Sequence, residues 1–302
     1  MSAPIVVGHD PHSTDDAPMQ FGVAAARFAG APLIVVAVHG GRLAHRHAHT
    51  ELGAAADDEI DGVRARLERE PDVTSELRVV EAHSAARGLV DALEGVDAGL
   101  GVVGVTSRGA VGQKVIGSTA ERVIHGAPCP IAVVPHGFAG GELRTVGVAF
   151  TSSPEGEQAL RSGVALAQAT GAALRVITVL QEQLGTLGSN RPGARAMQQI
   201  PEELAAEHHI AGRAAVDAAF AESGAEVEAE IELIYGDPAE GLLGFTGSLD
   251  LLVMGSRAYG PRRAVLLGGV SRRVTAETRC PVVVLPRGSE HPLRELLAER
   301  TA

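Results

Sequence analysis

Two glycine-containing segments of the sequence are suited to holding a phosphate group. A helix that begins just after such a segment presents unpaired backbone N–H groups and a positive partial charge, and both attract anions. The sequence therefore predicts an anion site at each segment, while leaving open that the glycines serve only tight turns. The residues concerned are Thr106, Gly109, Gly117, Ser118 and Thr119 in the first half of the chain, and Gly255, Gly268 and Gly269 in the second.

Arginines crowd the second of these segments in an otherwise acidic protein. Guanidinium groups bind phosphate through paired hydrogen bonds, so the cluster favours a phosphate ligand. The alternative is that these arginines lie on a solvated helix face and pair with acidic residues of the other half of the chain. The arginines are Arg257, Arg262, Arg263, Arg272 and Arg273.

Three closely spaced histidines raise the question of a metal site. His45 and His49 would share one face of a helix, with His47 between them, and imidazole binds zinc, copper or nickel. The sequence identifies no third or fourth ligand of matching geometry, which favours a histidine-rich surface loop over a metal site. It also contains no nucleotide P-loop, nucleophile elbow or zinc-protease motif, so we assign no catalytic residue.

The elements that would position these residues occur twice along the chain. Cys129-Pro130 opens a short apolar run, and Cys280-Pro281 opens its counterpart. A period of about 150 residues is too long for a solenoid and indicates two copies of one domain. Further matches align Val103–Arg108 with Leu252–Arg257 and Ile5–Asp10 with Val146–Thr151. We place copy one at 1–138, copy two at 143–288 and a C-terminal tail at 289–302.

Apolar runs alternate with amphipathic stretches in each copy. This alternation predicts an α/β fold of two tandem flavodoxin-like (Rossmann-like) domains, each with an open five-stranded parallel sheet. Helix caps are predicted at Asp16 and, from the S-x-x-E spacing, at Ser118. In copy one the predicted strands are 5–9, 33–38, 76–81, 100–105 and 131–134, and the predicted helices are 16–29, 50–69, 85–94 and 118–126; in copy two, Ser153-Pro154 opens the first helix and a long helix spans 202–223.

Composition limits the classes of function. The net charge of -11 argues against a nucleic-acid partner, and aromatic residues, which stack on single strands, make up only 3% of the chain. The longest uncharged apolar stretch, Phe28 to Gly41, is shorter than the roughly 18–20 residues of a membrane span. Two cysteines are typical of a reducing compartment, and the first residues show no basic signal region. We therefore expect a cytoplasmic protein that binds neither nucleic acid nor membrane.

The order strand, S-R-G, loop, G-S, helix, C-P, strand resembles the universal stress protein family over essentially the whole chain. The nucleotide signature of that family is G-x2-G-x9-G-[ST], preceded by an Asp after the first strand. The resemblance implies ATP as the ligand, with the Asp and the end of the second strand holding the nucleoside and the glycine loop holding the phosphates. The matching residues are Asp10, Val38, Gly109, Gly117 and Ser118 in copy one and Val179, Gly255 and Gly268 in copy two. Thr106, Thr119 and Gly269 lie in or beside the signature without matching it, and they are candidate site residues as well.

Each copy departs from the signature. In copy one, Thr106 stands at the first glycine, and only the seven residues Ala110–Ile116 separate Gly109 from Gly117. Copy one keeps both the Asp and the Ser, so we expect it to be the stronger nucleoside site. Copy two keeps the nine-residue spacing, with Thr151 in place of the Asp, Ala258 in place of the second glycine and Gly269 in place of the Ser or Thr.

The resemblance implies a stress-response regulator or sensor rather than an enzyme with rapid turnover. Two alternatives stay open: a slow ATP hydrolase, and a ligand-free protein-interaction module. Packing of such domains through their last strands would join 131–134 to 282–285 as an intramolecular pseudo-dimer, and a further homodimer is compatible with it. The sequence identifies neither a protein partner nor an inducing stress.

Overall fold

A computed structural model describes residues 2–10, 13–40, 60–105, 116–180, 202–223, 227–256 and 267–286, together with residue 293. Strands and helices alternate through both copies. Copy one contains β1 (Ile5–His9), α1 (Ala17–Ala29), β2 (Leu33–Gly40), α2 (60–67), β3 (Ser75–Ala82), α3 (Ala85–Gly95), β4 (Leu100–Gly104), α4 (Ser118–Gly126) and β5 (Ile131–Val134). Copy two contains β6 (Thr145–Ala149), α5 (Pro154–Thr170), β7 (Ala173–Leu180), α6 (Glu202–Ser223), β8 (Ala229–Tyr235), α7 (Pro238–Phe245), β9 (Leu251–Gly255), α8 (Gly269–Glu277) and β10 (Val282–Leu285).

The ten strands of the described residues belong to one sheet, in the order β3-β2-β1-β4-β5-β10-β9-β6-β7-β8. Within each copy the neighbouring strands are parallel, which confirms the predicted α/β fold. The strand order reverses between β1 and β4, and again between β6 and β9. Ligands of doubly wound sheets bind beyond the carboxyl ends of the strands at such reversals.

The two copies join through their last strands, as the family resemblance implied. β5 and β10 pair antiparallel, with Ala132 opposite Val283 at the centre of the ladder. Both strands are buried, since each would otherwise be an exposed apolar edge that invites aggregation. Across the same junction, Arg272 of α8 forms an ion pair with Glu121 of α4.

Burial explains why the inner strands are almost purely apolar. Helices cover both faces of the sheet, so β4, β5, β9 and β10 turn hydrophobic side chains to two core layers. The outermost strands β3 and β8 are of mixed polarity. Arg78 and Glu76 form an ion pair on β3, and Glu230 of β8 pairs with Arg175 of the neighbouring strand β7.

Both predicted caps differ from the structure. The carboxylate of Asp16 makes no cap hydrogen bond at the start of α1, and Asp15 Oδ1 instead accepts the Ala17 N–H at 3.2 Å. Ser118 is already the first residue of α4, because Gly117 occupies the cap position with an extended backbone. The S-x-x-E spacing is therefore one residue out of phase for a capping box.

Candidate functional site

A cavity of about 440 Å³, which we call cavity one, opens at the strand reversal of copy one. Its floor is the carboxyl ends of β1, β2 and β4, and its sides come from the starts of α1, α3 and α4 and from the loop 13–16. Three of the predicted residues line it: Asp10 just beyond β1, Val38 on β2 and Thr119 on α4. The volume lies within the range of small-molecule sites, which is roughly 300–1,000 Å³.

Copy two has a corresponding cavity of about 350 Å³, cavity two, at the reversal between β6 and β9. Val179 and Gly255, both predicted, line it. Thr151 takes the place that Asp10 holds in cavity one, as the alignment of the first strands predicted. The other polar side chains that line cavity two include those of Ser153, Ser256 and Ser271. Glu155 is the acidic residue of this lining.

The strand registers correct the internal alignment of the glycine segments. Gly104 pairs with Val134 in copy one, and Gly255 pairs with Leu285 in copy two. Val134 and Leu285 are the fourth residues of the two strands that follow Cys-Pro. Gly104 is therefore the counterpart of Gly255, and the predicted match of Thr106 with Gly255 is wrong by two residues.

With this correction, the glycine segment of copy one has the same length as that of copy two. Gly117 follows Gly104 by 13 residues, and Gly268 follows Gly255 by the same 13. Counted from Gly104, copy one has Ser107 at the second glycine, then nine residues, then Gly117-Ser118. The seven-residue interval arose because the Ser-Arg dipeptide, present in both copies, drew the alignment out of register.

The glycines at the ends of β4 and β9 also have a packing role. A Cβ atom on Gly104 would lie 2.7 Å from Pro18 Cγ, and one on Gly255 would lie 2.7 Å from the Glu155 carbonyl oxygen. Any side chain at these two positions would therefore push away the first turns of α1 and α5. Glycine is required here even without a ligand.

The helices that start beside the two cavities begin without a side-chain cap. No side-chain cap hydrogen bond forms at Gly117 before α4 or at Gly268 before α8, within the residues that the structure describes. By contrast, Ser84, Ser153 and Asp237 each accept a backbone N–H at the starts of α3, α5 and α7. Uncapped N–H groups and the helix dipole make the starts of α4 and α8 suitable for anions.

Two carboxylates near the mouth of cavity one were not identified from the sequence as cavity residues. Asp15 accepts backbone N–H groups from Ala17 and Gly137, each at 3.2 Å, and Asp16 forms an ion pair with Arg66 of α2. The sequence shows them as an Asp-Asp pair shortly after Asp10, a pattern that by itself indicates only a helix cap at Asp16. His136 also lines cavity one and was missed, because it lies in the segment that joins the copies.

The arginine cluster has two described members, and both form ion pairs with acidic residues. Arg272 pairs with Glu121 of the other copy, while Arg273 contacts Asp237 and Glu240 at 3.1 Å each. These contacts favour the solvated helix face over a phosphate site for α8. Arg257, Arg262 and Arg263 lie outside the described residues.

The remaining predicted site residues are distributed as follows. Gly117 and Gly268 precede α4 and α8, and Ser118 and Gly269 are the first residues of these helices. None of the four is among the lining residues, which are the next residues of each helix: Thr119 and Ala120 of α4, and Val270 and Ser271 of α8. Thr106 and Gly109 lie outside the described residues, and so do the candidate metal ligands His45, His47 and His49. The described part of the chain contains no cluster of three or more potential metal-ligating side chains.

Both cysteines are buried, as the sequence indicated. Cys129 is 6% exposed and Cys280 is 3% exposed, and burial raises the pKa of each thiol to about 12. A thiol with so high a pKa is almost entirely protonated at neutral pH, so neither is a nucleophile.

None of the described helices combines the length and apolar character needed to cross a bilayer.

Comparison with known proteins agrees with the repeat. The family model described as the universal stress protein family matches residues 1–135 and 142–286. A universal stress protein of Mycolicibacterium smegmatis is 26% identical over 294 residues, which cover 93% of this chain and 96% of that protein. A universal stress protein of Mycobacterium tuberculosis is 25% identical over 247 residues, covering 78% of this chain and 80% of that protein.

Solved structures share the whole tandem architecture. A universal stress protein of Archaeoglobus fulgidus superposes with a TM-score of 0.64 at 18% identity, covering 95% of this chain and all of that one. A functionally unknown protein of Pseudomonas aeruginosa gives a TM-score of 0.67 at 15% identity, covering 99% of this chain and 97% of that one. At these identities the two structures show only that the fold is shared. The two matches to the family model span most of the chain, and the chain therefore belongs to the universal stress protein family.

Proposed function

We propose that this protein is a stress-response regulator that binds an adenine nucleotide, ATP being the one implied by the family resemblance, in cavity one. The observation that carries the proposal is a juxtaposition. Asp10 and Val38, beside the ends of β1 and β2, line the same cavity as Thr119 and Ala120 in the first turn of α4. The uncapped start of that helix carries Gly117 and Ser118 at the signature spacing from Gly104.

The β1–β2 end of cavity one fits a nucleoside. Val36, Val38 and Leu89 supply apolar walls, and the Asp10 carboxylate lies among the same lining residues. An adenine ring buries its flat faces against such walls, while a carboxylate accepts hydrogen bonds from an exocyclic amine or a ribose hydroxyl. Both requirements of a purine nucleoside are met at one place.

The α4 end of cavity one fits phosphate. The first N–H groups of α4 lack a side-chain cap among the described residues, and the helix dipole adds positive potential there. The segment 105–116 has the same length as its copy-two counterpart, so copy one retains the full signature spacing. The corrected register thus supports phosphate binding in copy one more strongly than the sequence-based alignment did.

Cavity two is the weaker candidate for the same ligand. Thr151 replaces the carboxylate of Asp10, Gly269 replaces the hydroxyl of Ser118, and cavity two is smaller. Each lost hydrogen bond to a charged or strongly polar group costs roughly 1.5–3 kcal/mol. Two such losses would weaken binding by at least about 100-fold relative to cavity one.

Calorimetric titration of the full chain with ATP and AMP tests the proposal. We expect about one nucleotide per chain, with affinity lowered roughly 10- to 100-fold by Asp10→Ala. The matched control is Thr151→Ala, at the corresponding position of cavity two, which should leave that affinity unchanged. Loss of binding in Thr151→Ala but not in Asp10→Ala would move the ligand to copy two.

Two further results would replace the proposal with one of its alternatives. Absence of binding at millimolar nucleotide, with no nucleotide released on denaturing the purified protein, would leave a ligand-free interaction module. Magnesium-dependent phosphate release that is abolished by Asp10→Ala would instead indicate a slow ATP hydrolase.

A further inference from the structure

The segment that joins the two copies also forms one wall of cavity one. After β5 and Pro135 it continues with His136, an exposed residue that lines the cavity. Two residues later, the Phe138 ring packs edge-on against Phe21 of α1, with the ring centroids 6.0 Å apart. The start of this segment is therefore docked on copy one rather than free between the copies.

One carboxylate holds this arrangement together. Asp15 Oδ1 accepts the backbone N–H of Gly137 and that of Ala17, each at 3.2 Å, so it links the joining segment to the start of α1. Gly137 has φ of 76°, a left-handed conformation that favours glycine. Asp15 thereby ties the backbone next to His136 to the start of α1, beside the cavity that His136 lines.

The sheet order indicates which end of a nucleotide His136 would meet. Asp10 and Val38 belong to β1 and β2, whereas His136 follows β5, which pairs with β4 on the opposite side of the strand reversal. The glycine segment that leads to α4 also starts at the end of β4. His136 thus lies on the phosphate side of cavity one, away from the nucleoside side.

The charges of the described lining give His136 a specific role. Asp10, Asp15 and Asp16 are acidic, and Arg66, which is near Asp16, is already paired with it. Among the described lining residues, the side chains able to carry a positive charge are His9 and His136, and His9 is on the central strand β1. An anionic group at the β4–β5 side needs a donor that the carboxylates cannot supply.

We infer that His136 binds the phosphate end of the nucleotide in cavity one and that Asp15 is the positioning residue that holds His136 there. This inference rests on the proposed function and adds a contact from outside the glycine signature. It also means that copy one is completed by the segment leading to copy two. A ligand with a phosphate would contact that segment, and a nucleoside without one would not.

The test compares AMP with adenosine on the full chain by calorimetry. We expect His136→Ala to lower the AMP affinity about 10-fold and to change the adenosine affinity by less than about twofold. The expected loss is at the lower end of the range for a hydrogen bond to a charged group, because the His136 side chain is exposed. His125→Ala, at the far end of α4, is the matched histidine control and should change neither affinity.

A second pair of variants isolates the role of Asp15. Asp15→Ala should reduce AMP affinity to the same extent as His136→Ala, and the double variant should be no weaker than either single one, because both changes remove the same contact. Asp15→Asn keeps the Oδ1 acceptor and should retain most of the AMP affinity. Circular dichroism melts would show whether Asp15→Ala remains folded, and His136→Ala stands independently of that result.

The outcomes separate this inference from the proposed function. If wild-type protein binds AMP and adenosine but His136→Ala changes both equally or neither, the role of His136 is overturned while the nucleotide site stands. If wild-type protein binds neither ligand, the proposed function is wrong and the role of His136 fails with it.

Discussion

Raising the pH above 9 should destabilise this protein through its two buried thiols. Cys129 and Cys280 each precede one of the central strands β5 and β10, and burial raises the pKa of each thiol to about 12, against 9.0 for a free thiol. A group whose pKa is raised by folding favours the folded state fully below the unfolded pKa. That contribution is lost as the pH rises from 9 towards 12, because only the unfolded chain releases the protons.

The size of the effect follows from the pKa difference. Each thiol changes the free energy of unfolding by about 1.4 kcal/mol per pH unit once the pH is well above 9. Between pH 9 and pH 11 this amounts to about 2 kcal/mol per thiol and about 4 kcal/mol for the pair. The free energy of unfolding of a typical domain is only about 5–15 kcal/mol, so a loss of this size would be readily measured.

Urea unfolding of the full chain at pH 8, 9, 10 and 11, followed by circular dichroism, would measure it. The control is the double variant Cys129→Ala/Cys280→Ala, whose stability should fall less steeply over the same range. The background is small, because the sequence contains one lysine, Lys114, and two tyrosines, and these are present in both proteins. The comparison concerns the slopes, so a constant loss from the alanine substitutions does not affect it.

Parallel pH dependence in the two proteins would refute this reasoning. It would mean that the thiols ionise at a similar pH in the folded and unfolded chain, and hence that the strands at the junction of the copies are open to water. A reagent test gives the same information at lower pH. Neither thiol should react with an alkylating agent at pH 8 until the protein is unfolded.

Three substitutions test the packing, a cap and a surface ion pair by urea unfolding. Gly88→Ala should destabilise by about 1–3 kcal/mol, because the new methyl group would lie 2.6 Å from Val38 Cγ1 in a buried contact; an unchanged midpoint would show that α3 can shift at no cost. Asp237→Ala removes the side-chain cap of α7 and should cost about 1 kcal/mol, whereas a neutral result would mean that water replaces the cap. Glu121→Gln breaks the partly exposed pair with Arg272 and should cost less than about 1 kcal/mol, so a larger loss would show that this pair holds the two copies together.

Most of the fold followed from the sequence because its strands are buried on both faces. The apolar runs at 5–9 and 131–134 coincide with β1 and β5, and the helix predicted at 202–223 coincides with α6. Ser153-Pro154 opens α5 as expected, and the Ser153 side chain caps it. The caps of α1 and α4 were predicted less well, because adjacent residues such as Asp15 and Asp16 compete for the same N–H groups and spacing alone cannot decide between them.

The candidate site was predictable mainly where a residue lies at the end of a strand, with Thr119 at the start of α4 as a further success. Asp10, Val38 and Val179 follow from strands with clear boundaries, and all three line a cavity. Gly104 was missed because two similar dipeptides offered a false alignment, which the strand register alone resolves. His136 lines cavity one because the segment that joins the two copies passes beside it. No local sequence pattern predicts the course of that segment.

The comparison of the two copies shows which residues are informative about binding. Residues 100–135 and 251–286 keep a constant offset of 151, and the glycines at 104 and 255 are both required for packing. Such glycines would persist in a copy that has lost its ligand, so they do not distinguish a working site from a degenerate one. Asp10 and Ser118 are different: Thr151 and Gly269 take their places in copy two, and the same fold forms around both sets. The function of cavity one is therefore to be sought in what these two side chains contact. If the proposed nucleotide site is correct, grafting Thr151→Asp with Gly269→Ser into copy two should add a second binding event in a calorimetric titration with AMP, and an unchanged titration would show that these two side chains do not determine binding.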